Sequence, residues 1–169
     1  KTDSLLGMIG YKAGMGTALV KDSTDKSMTL GKKIYIPVTV LEVPNMKIYS
    51  VRFYKYGKVL KDVVVSNDKE LKRIILAPKQ PKNLDQEAPK DFEDIRAIIY
   101  SIPSQTTVKK TPDLIEVGIE AKDKLAFVKS LVGKEISLKD FLKYQLLDMR
   151  GLTKGKGLVG PVKRMGIGL

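Results

Sequence analysis

The sequence contains no cysteine and no histidine. Without cysteine there is no disulfide framework and no thiolate metal site, which fits a reducing compartment. Without histidine as well, the commonest zinc ligands, the usual general base and the Ser–His and Cys–His nucleophile pairs are gone together. Metal-free carboxylate or lysine chemistry is what remains. The acidic pairs that could serve it, Glu93-Asp94 and Asp68 with Glu70, sit in polar segments with no partner histidine and read as solvated charge. No catalytic residue, metal or cofactor is expected. No apolar run approaches the roughly 20 residues that span a bilayer, and Leu5 to Gly10 is too short for the apolar region of a signal peptide. No membrane partner and no small-molecule substrate are expected. The chain opens on Lys1 and stops inside a Gly/basic run, so both ends read as cut edges of a longer protein.

Acidic residues are also missing from the last twenty-one positions, Met149 to Leu169, which hold five cations and six glycines. In Arg150-Gly-Leu-Thr-Lys-Gly-Lys-Gly-Leu-Val-Gly-Pro-Val-Lys-Arg164 glycine allows close approach of backbone to a phosphate, and lysine or arginine releases condensed counterions. A disordered basic tail has the same composition. Against pure disorder, Leu152, Leu158, Val159 and Val162 are spaced among the cations as if part of the run packs on something. The whole chain agrees with a polyanionic partner: 31 Lys and Arg against 19 Asp and Glu give +12. With 169 residues, 43% of them hydrophobic, a core burying about 70% of the unfolded surface is attainable without staples.

The first part of the chain reads as β. Leu5–Tyr11 and Thr17–Lys21 are expected as two short strands around a tight turn at Lys12-Ala-Gly-Met-Gly16. Ile34 to Leu41 alternates at period two with both faces apolar, which suits a closed barrel better than a one-sided sheet. Pro37 demands a free edge or a bulge in that strand. Lys47–Tyr56 and Val59–Val65 are predicted to form a hairpin about Gly57, with Tyr49, Val51 and Phe53 on one face and Arg52, Tyr54 and Tyr56 on the other. From Ser66 the pattern becomes α/β. A short helical piece over Asp68–Leu76 precedes a polar linker holding Pro78, Pro81 and Pro89, then strands Ile95–Ile102 and Leu114–Ile119. Ala121, Leu125, Val128 and Val132 mark one helix face, closed by Gly133. A second helix is expected from Ser137 as N-cap, with Asp140 completing a capping box and Ile136 stapled to Phe141.

Two glycine motifs fall short of nucleotide signatures. Gly151-Leu-Thr-Lys-Gly155-Lys156-Gly157 has three residues where a phosphate loop has four, and Gly157 replaces the magnesium-binding hydroxyl. Gly14-Met-Gly16 has no third glycine, since Leu19 holds its place. Lys47 to Lys61 interleaves five cations with Tyr49, Phe53, Tyr54 and Tyr56, a pattern that serves either stacking on exposed RNA bases or a hairpin with one core face and one solvated cationic face.

Leu6-Gly-Met-Ile-Gly-Tyr-Lys-Ala-Gly-Met15, Ile36-Pro-Val-Thr-Val-Leu-Glu42 and Thr153-Lys-Gly-Lys-Gly157 with Gly160-Pro-Val-Lys-Arg164 occur in the order seen in the universal large-subunit ribosomal protein L-three family. Asp94-Ile-Arg96 and Gly133-Lys-Glu-Ile136 resemble its archaeal and eukaryotic branch, and the likeness covers nearly the whole chain. Gly16, Leu158-Val159 and Met165 depart from the usual residues. The resemblance implies a mainly β protein: a translation-protein-type β-barrel begun by residues 1–66, an inserted α/β lobe over 67–147, and over 148–169 a return to the barrel and the start of a basic extension. The family's later strands lie beyond Leu169, so the barrel is expected to be partial. Large-subunit ribosomal RNA and neighbouring ribosomal proteins are the implied partners, in the cytoplasmic ribosome near the peptidyl transferase region. The candidate RNA contacts are Lys12, Arg52, Lys55, Arg150, Lys154, Gly155, Lys156, Gly157, Lys163 and Arg164. A free barrel-type factor that binds RNA transiently is the alternative, and an oxidoreductase or nucleotide-dependent enzyme on a similar barrel a third.

Overall fold

A computed structural model describes residues 3–76, 78, 80–140 and 146–168. The fold is mainly β. Strands β1 (Ser4–Leu5), β4 (Met46–Lys55), β5 (Lys58–Val64), β6 (Asp94–Ser101) and β7 (Leu114–Glu120) form one antiparallel sheet in the order β1-β7-β6-β4-β5. Strands β2 (Tyr11–Lys21) and β3 (Lys33–Glu42) pair only with each other, as an antiparallel ribbon. The described residues form no closed barrel. Nor does the change of pattern at Ser66 fall between sheets, because β4 and β5 before it hydrogen-bond in the same sheet as β6 and β7 after it.

The core lies on one face of the five-stranded sheet. Ile48, Val51 and Phe53 of β4, Val63 of β5, Ile95, Ala97 and Ile99 of β6 and Val117 and Ile119 of β7 meet there, with Phe53 edge-on to Phe92 at 5.2 Å between ring centroids. Helices α1 (Leu84–Glu87) and α2 (Lys124–Leu131) cover this face with Leu84 and Val128. The α2 start is set by Asp123, whose carboxylate accepts from the Leu125 and Ala126 amides at 3.0 and 3.1 Å, and Gly133 at φ 78 follows its end. Ile136 closes the layer by exchanging backbone hydrogen bonds with Met46 at 2.9 and 2.8 Å. At one end of the opposite face, a smaller cluster of Leu71, Tyr100 and Ile102 packs with Tyr49 and Leu114. Tyr100 is fully buried and donates its O–H to Asp68.

Several expectations are met. The Lys58–Val64 hairpin turns on Tyr56 and Gly57, both at positive φ (50° and 69°), the geometry that matches a right-handed strand twist. Pro37 sits in a strand with one partner, so the strand has the free edge that a proline needs. Others are corrected. Residues 12–16 are not a turn: β2 runs straight through them, with a bulge between Lys12 and Gly14, and Gly14 and Gly16 face Val40 and Val38 across the ribbon. Tyr49 does not share the core face with Val51 and Phe53, because a bulge between Ile48 and Ser50 shifts the alternation by one residue and sends it to the smaller cluster. Past Ser137 there is a single 3-10 turn at Leu138–Asp140; Phe141, the expected staple partner, lies outside the described residues. A short helix α3 (Pro161–Met165) stands in the run that the sequence leaves irregular.

Candidate nucleic-acid interface

Residues 146–168 lie almost wholly exposed. Within them α3 has local causes: Gly160 is the N-cap, Pro161 supplies its fixed φ at the first helical position, and Gly166 at φ 65 ends the turn with its N–H on the Val162 carbonyl at 2.9 Å. Lys163 and Arg164 fall in its last turn. Arg164 donates to the Val159 carbonyl at 3.2 Å, which holds Val159 half-buried against the turn. Arg150, Lys154, Lys156, Lys163 and Arg164 have no carboxylate partner among the described residues. Gly157 takes φ 63, so a side chain there would strain the backbone, whereas Gly155 is outside the left-handed region and open space surrounds both. Leu158 and Leu152, expected to pack, touch little of this chain.

The other predicted contacts divide. Lys12 projects from β2 opposite Leu41, exposed and without a carboxylate partner among the described residues. Arg52 is held by its own protein. Its Nε and Nη2 donate to both oxygens of Asp62 at 2.7 Å, and its Nη1 donates to Glu116 Oε2 at 2.6 Å. The bidentate Asp62 pair pushes the guanidinium's pKa further up, against the effect of burial. The network continues across the open end of the sheet. Tyr54 O–H donates to Glu116 at 2.6 Å, Arg96 donates to the same oxygen at 3.2 Å and stacks over the Tyr54 ring at 4.5 Å, and Lys124 donates to Asp94 at 2.5 Å. Burial alone would raise the Glu116 carboxyl, but the Tyr54 and Arg52 bonds outweigh it and hold the group below the usual carboxylate range. Three cations face three carboxylates here, so the patch is neutral. Lys55 pairs with Asp91 and lies over the Tyr56 ring at 5.3 Å.

The β2–β3 ribbon adds residues that the sequence reading missed. Its root is fixed by Tyr11, whose O–H donates to Asp113 at 2.7 Å and lies 2.7 Å from the buried Ser101 hydroxyl, while Lys109 clamps Asp113 at 2.5 and 2.6 Å. Its far end is closed by Asp22, whose carboxylate accepts from the Thr24 amide at 2.9 Å and the Ser27 and Thr29 hydroxyls at 2.9 and 2.5 Å. Foremost the Thr29 bond, and then those to Thr24 and Ser27, keep the Asp22 carboxyl well below the usual range. Between root and tip both faces are apolar and exposed, with Met15, Leu19, Tyr35 and Val40 open to solvent.

Comparison with known proteins now has this geometry to explain. The profile of the family described as ribosomal protein L3 matches residues 1–75 and 77–168. The chain belongs to the ribosomal protein L3 family. The large ribosomal subunit protein uL3 of Methanococcus aeolicus is 40% identical over 181 residues, covering 99% of this chain and 54% of the relative. That of Methanocaldococcus jannaschii is 38% identical over 172 residues, covering 93% and 51%, and that of Methanobrevibacter smithii 40% over 178 residues, covering 96% and 53%. The chain therefore spans about half the length of the relatives it matches. Family membership covers both the unpaired cationic run and the neutral sheet patch, so it does not by itself say which of them meets a partner.

Proposed function

We propose that this L3-family chain is a structural, non-enzymatic constituent of the large ribosomal subunit that binds ribosomal RNA through phosphate neutralisation and shape. The observation that carries the reading is the run from Arg150 to Arg164: five cations, exposed and free of carboxylate partners among the described residues, on a backbone whose glycines leave room for a polymer. Lys12, exposed on β2 and without a carboxylate partner among the described residues, is a further candidate contact. Arg52 and Lys55 meet RNA only by giving up Asp62, Glu116 and Asp91, so they are its weakest members. In the finer architecture, the β2–β3 ribbon is part of a translation-protein-type barrel, and 148–169 begins a basic extension towards the peptidyl transferase region. The exposed Ile36, Val38 and Val40, on the ribbon face away from Tyr35, support the first, and the exposure of 146–168 the second. Neighbouring ribosomal proteins complete the setting, in the cytoplasmic ribosome.

Sedimentation of large subunits through a high-salt wash tests the reading. An integral constituent stays with the subunit, and Lys154→Ala with Lys156→Ala lowers its incorporation. Release of the unmodified chain at a salt concentration that leaves the subunit intact would assign it to a visiting factor instead.

A further inference from the structure

The strand pairing of the ribbon places Lys21 directly opposite Lys33. Two like charges facing each other across a strand pair repel, and no carboxylate lies within ion-pair distance of either among the described residues. The acid next to them in sequence, Asp22, is turned inward to close the loop. The next pair on the same face, two residues back along each strand, is Leu19 opposite Tyr35, and Tyr35 is 75% exposed. The tip is not a loose loop. Gly31 donates to the Asp22 carbonyl at 2.8 Å, Asp22 donates to the Lys32 carbonyl at 3.0 Å, and Lys32 donates to the Thr29 carbonyl at 2.9 Å. A pre-ordered surface thus holds two uncompensated lysines beside an open phenol ring, about 33 Å along an 11-residue strand from the anchored root.

We propose that this distal face of the ribbon is a second RNA site, with Lys21 and Lys33 sharing a phosphate and Tyr35 stacking on an unpaired base. An anion between the lysines removes the repulsion that the register imposes, and a ring adjoining a phosphate site matches the spacing of base and backbone in single-stranded RNA. An acidic protein would answer the lysines, but only a nucleic acid strand sets a stacking ring next to an anion at every residue, so RNA is the better fit. The inference rests on the RNA-binding reading above and extends it to residues outside the Gly/Lys run.

The test measures binding of the full chain to a large-subunit ribosomal RNA transcript over a series of salt concentrations, for the unmodified protein, K21A/K33A, Y35A, Y35F and K154A/K156A. Amide exchange at Gly31 and Asp22 checks that the ribbon tip is intact in each variant. K21A/K33A should flatten the slope of log affinity against log salt by about 0.7, the share of one shared phosphate on a single strand that is no longer neutralised. Y35A should weaken binding about tenfold with the slope unchanged, and Y35F should bind as the unmodified chain does. If both ribbon variants bind with unaltered affinity and slope while K154A/K156A is impaired, the second site is refuted and the general reading stands. A slope change without any Tyr35 effect also refutes it as stated, since it reduces the face to unspecific charge. If the unmodified chain binds no RNA, both readings fall together.

Discussion

Tyr11 shows how one side chain holds an exposed element to a buried one. It is the first residue of β2, and its hydroxyl reaches between Ser101, fully buried at the end of β6, and Asp113 just before β7. Burial pushes the phenol up to about 12; the Ser101 bond works against that and Asp113 with it. For Asp113, burial alone would raise the carboxyl, but the bonds from Lys109 and Tyr11 win and lower it. A raised phenol stabilises fully below its ordinary value near 10, and that contribution is lost as pH climbs through about 12. A lowered carboxyl stabilises fully above its ordinary value near 4, and that contribution is lost as pH falls through the depressed value. The root of the ribbon is therefore held between about pH 4 and pH 10. Followed by NMR, the Tyr11 ring should titrate near 12 and Tyr11→Phe should cost about 1–3 kcal/mol. A Tyr11 midpoint near 10 would show that the anchor does not form in solution.

At the scale of elements the two β systems are built on opposite terms. Phe53 lies on β4 at 0% exposure against Phe92, whereas Leu19 lies on β2 at 52%. Both are large apolar residues in long strands with period-two neighbours, and the sequence pattern does not separate them. The β4–β5 hairpin, β6, β7 and α2 were legible because their signals are local: a turn at Gly57, an alternating run, a helix face with a closing glycine. The bulges at Ala13 and Tyr49 were not, since a bulge is decided by which strand lies opposite. The arrangement of β4 between β5 and β6 was hidden for the same reason, and so were the Lys21–Lys33 pair and the spent charge of Arg52. In equilibrium unfolding, Phe53→Ala should cost about 3–5 kcal/mol through transfer and cavity terms, and Leu19→Ala well under about 1 kcal/mol. Equal losses would mean that the ribbon is buried against the rest of the fold in solution.

For the molecule as a whole, a net charge of +12 says that a polyanion is a fitting partner, but not which cations meet it. Folding sorts them. On the open end of the five-stranded sheet, Arg52, Arg96 and Lys124 are matched by Asp62, Glu116 and Asp94, so the field there is largely cancelled. Over 146–168 and at the ribbon tip, by contrast, cations stand without carboxylate partners among the described residues, and no such cancellation operates there. Only a cation that is free in the unbound protein adds its full share of counterion release on binding; a paired one must first break its own ion pair. Substituting alanine at Arg150, Lys154 or Lys156 should therefore flatten the salt dependence of RNA binding by about 0.7 to 0.9 per residue and leave the unfolding free energy within about 0.5 kcal/mol of the parent. Arg52→Ala should do the reverse. It strands Asp62 and Glu116, lowers stability by about 1–3 kcal/mol, and leaves the salt slope unchanged. Measuring slope and stability on the same four variants decides the matter: a flattened slope for Arg52→Ala at unchanged stability would place the RNA on the sheet face and overturn this division of the charge.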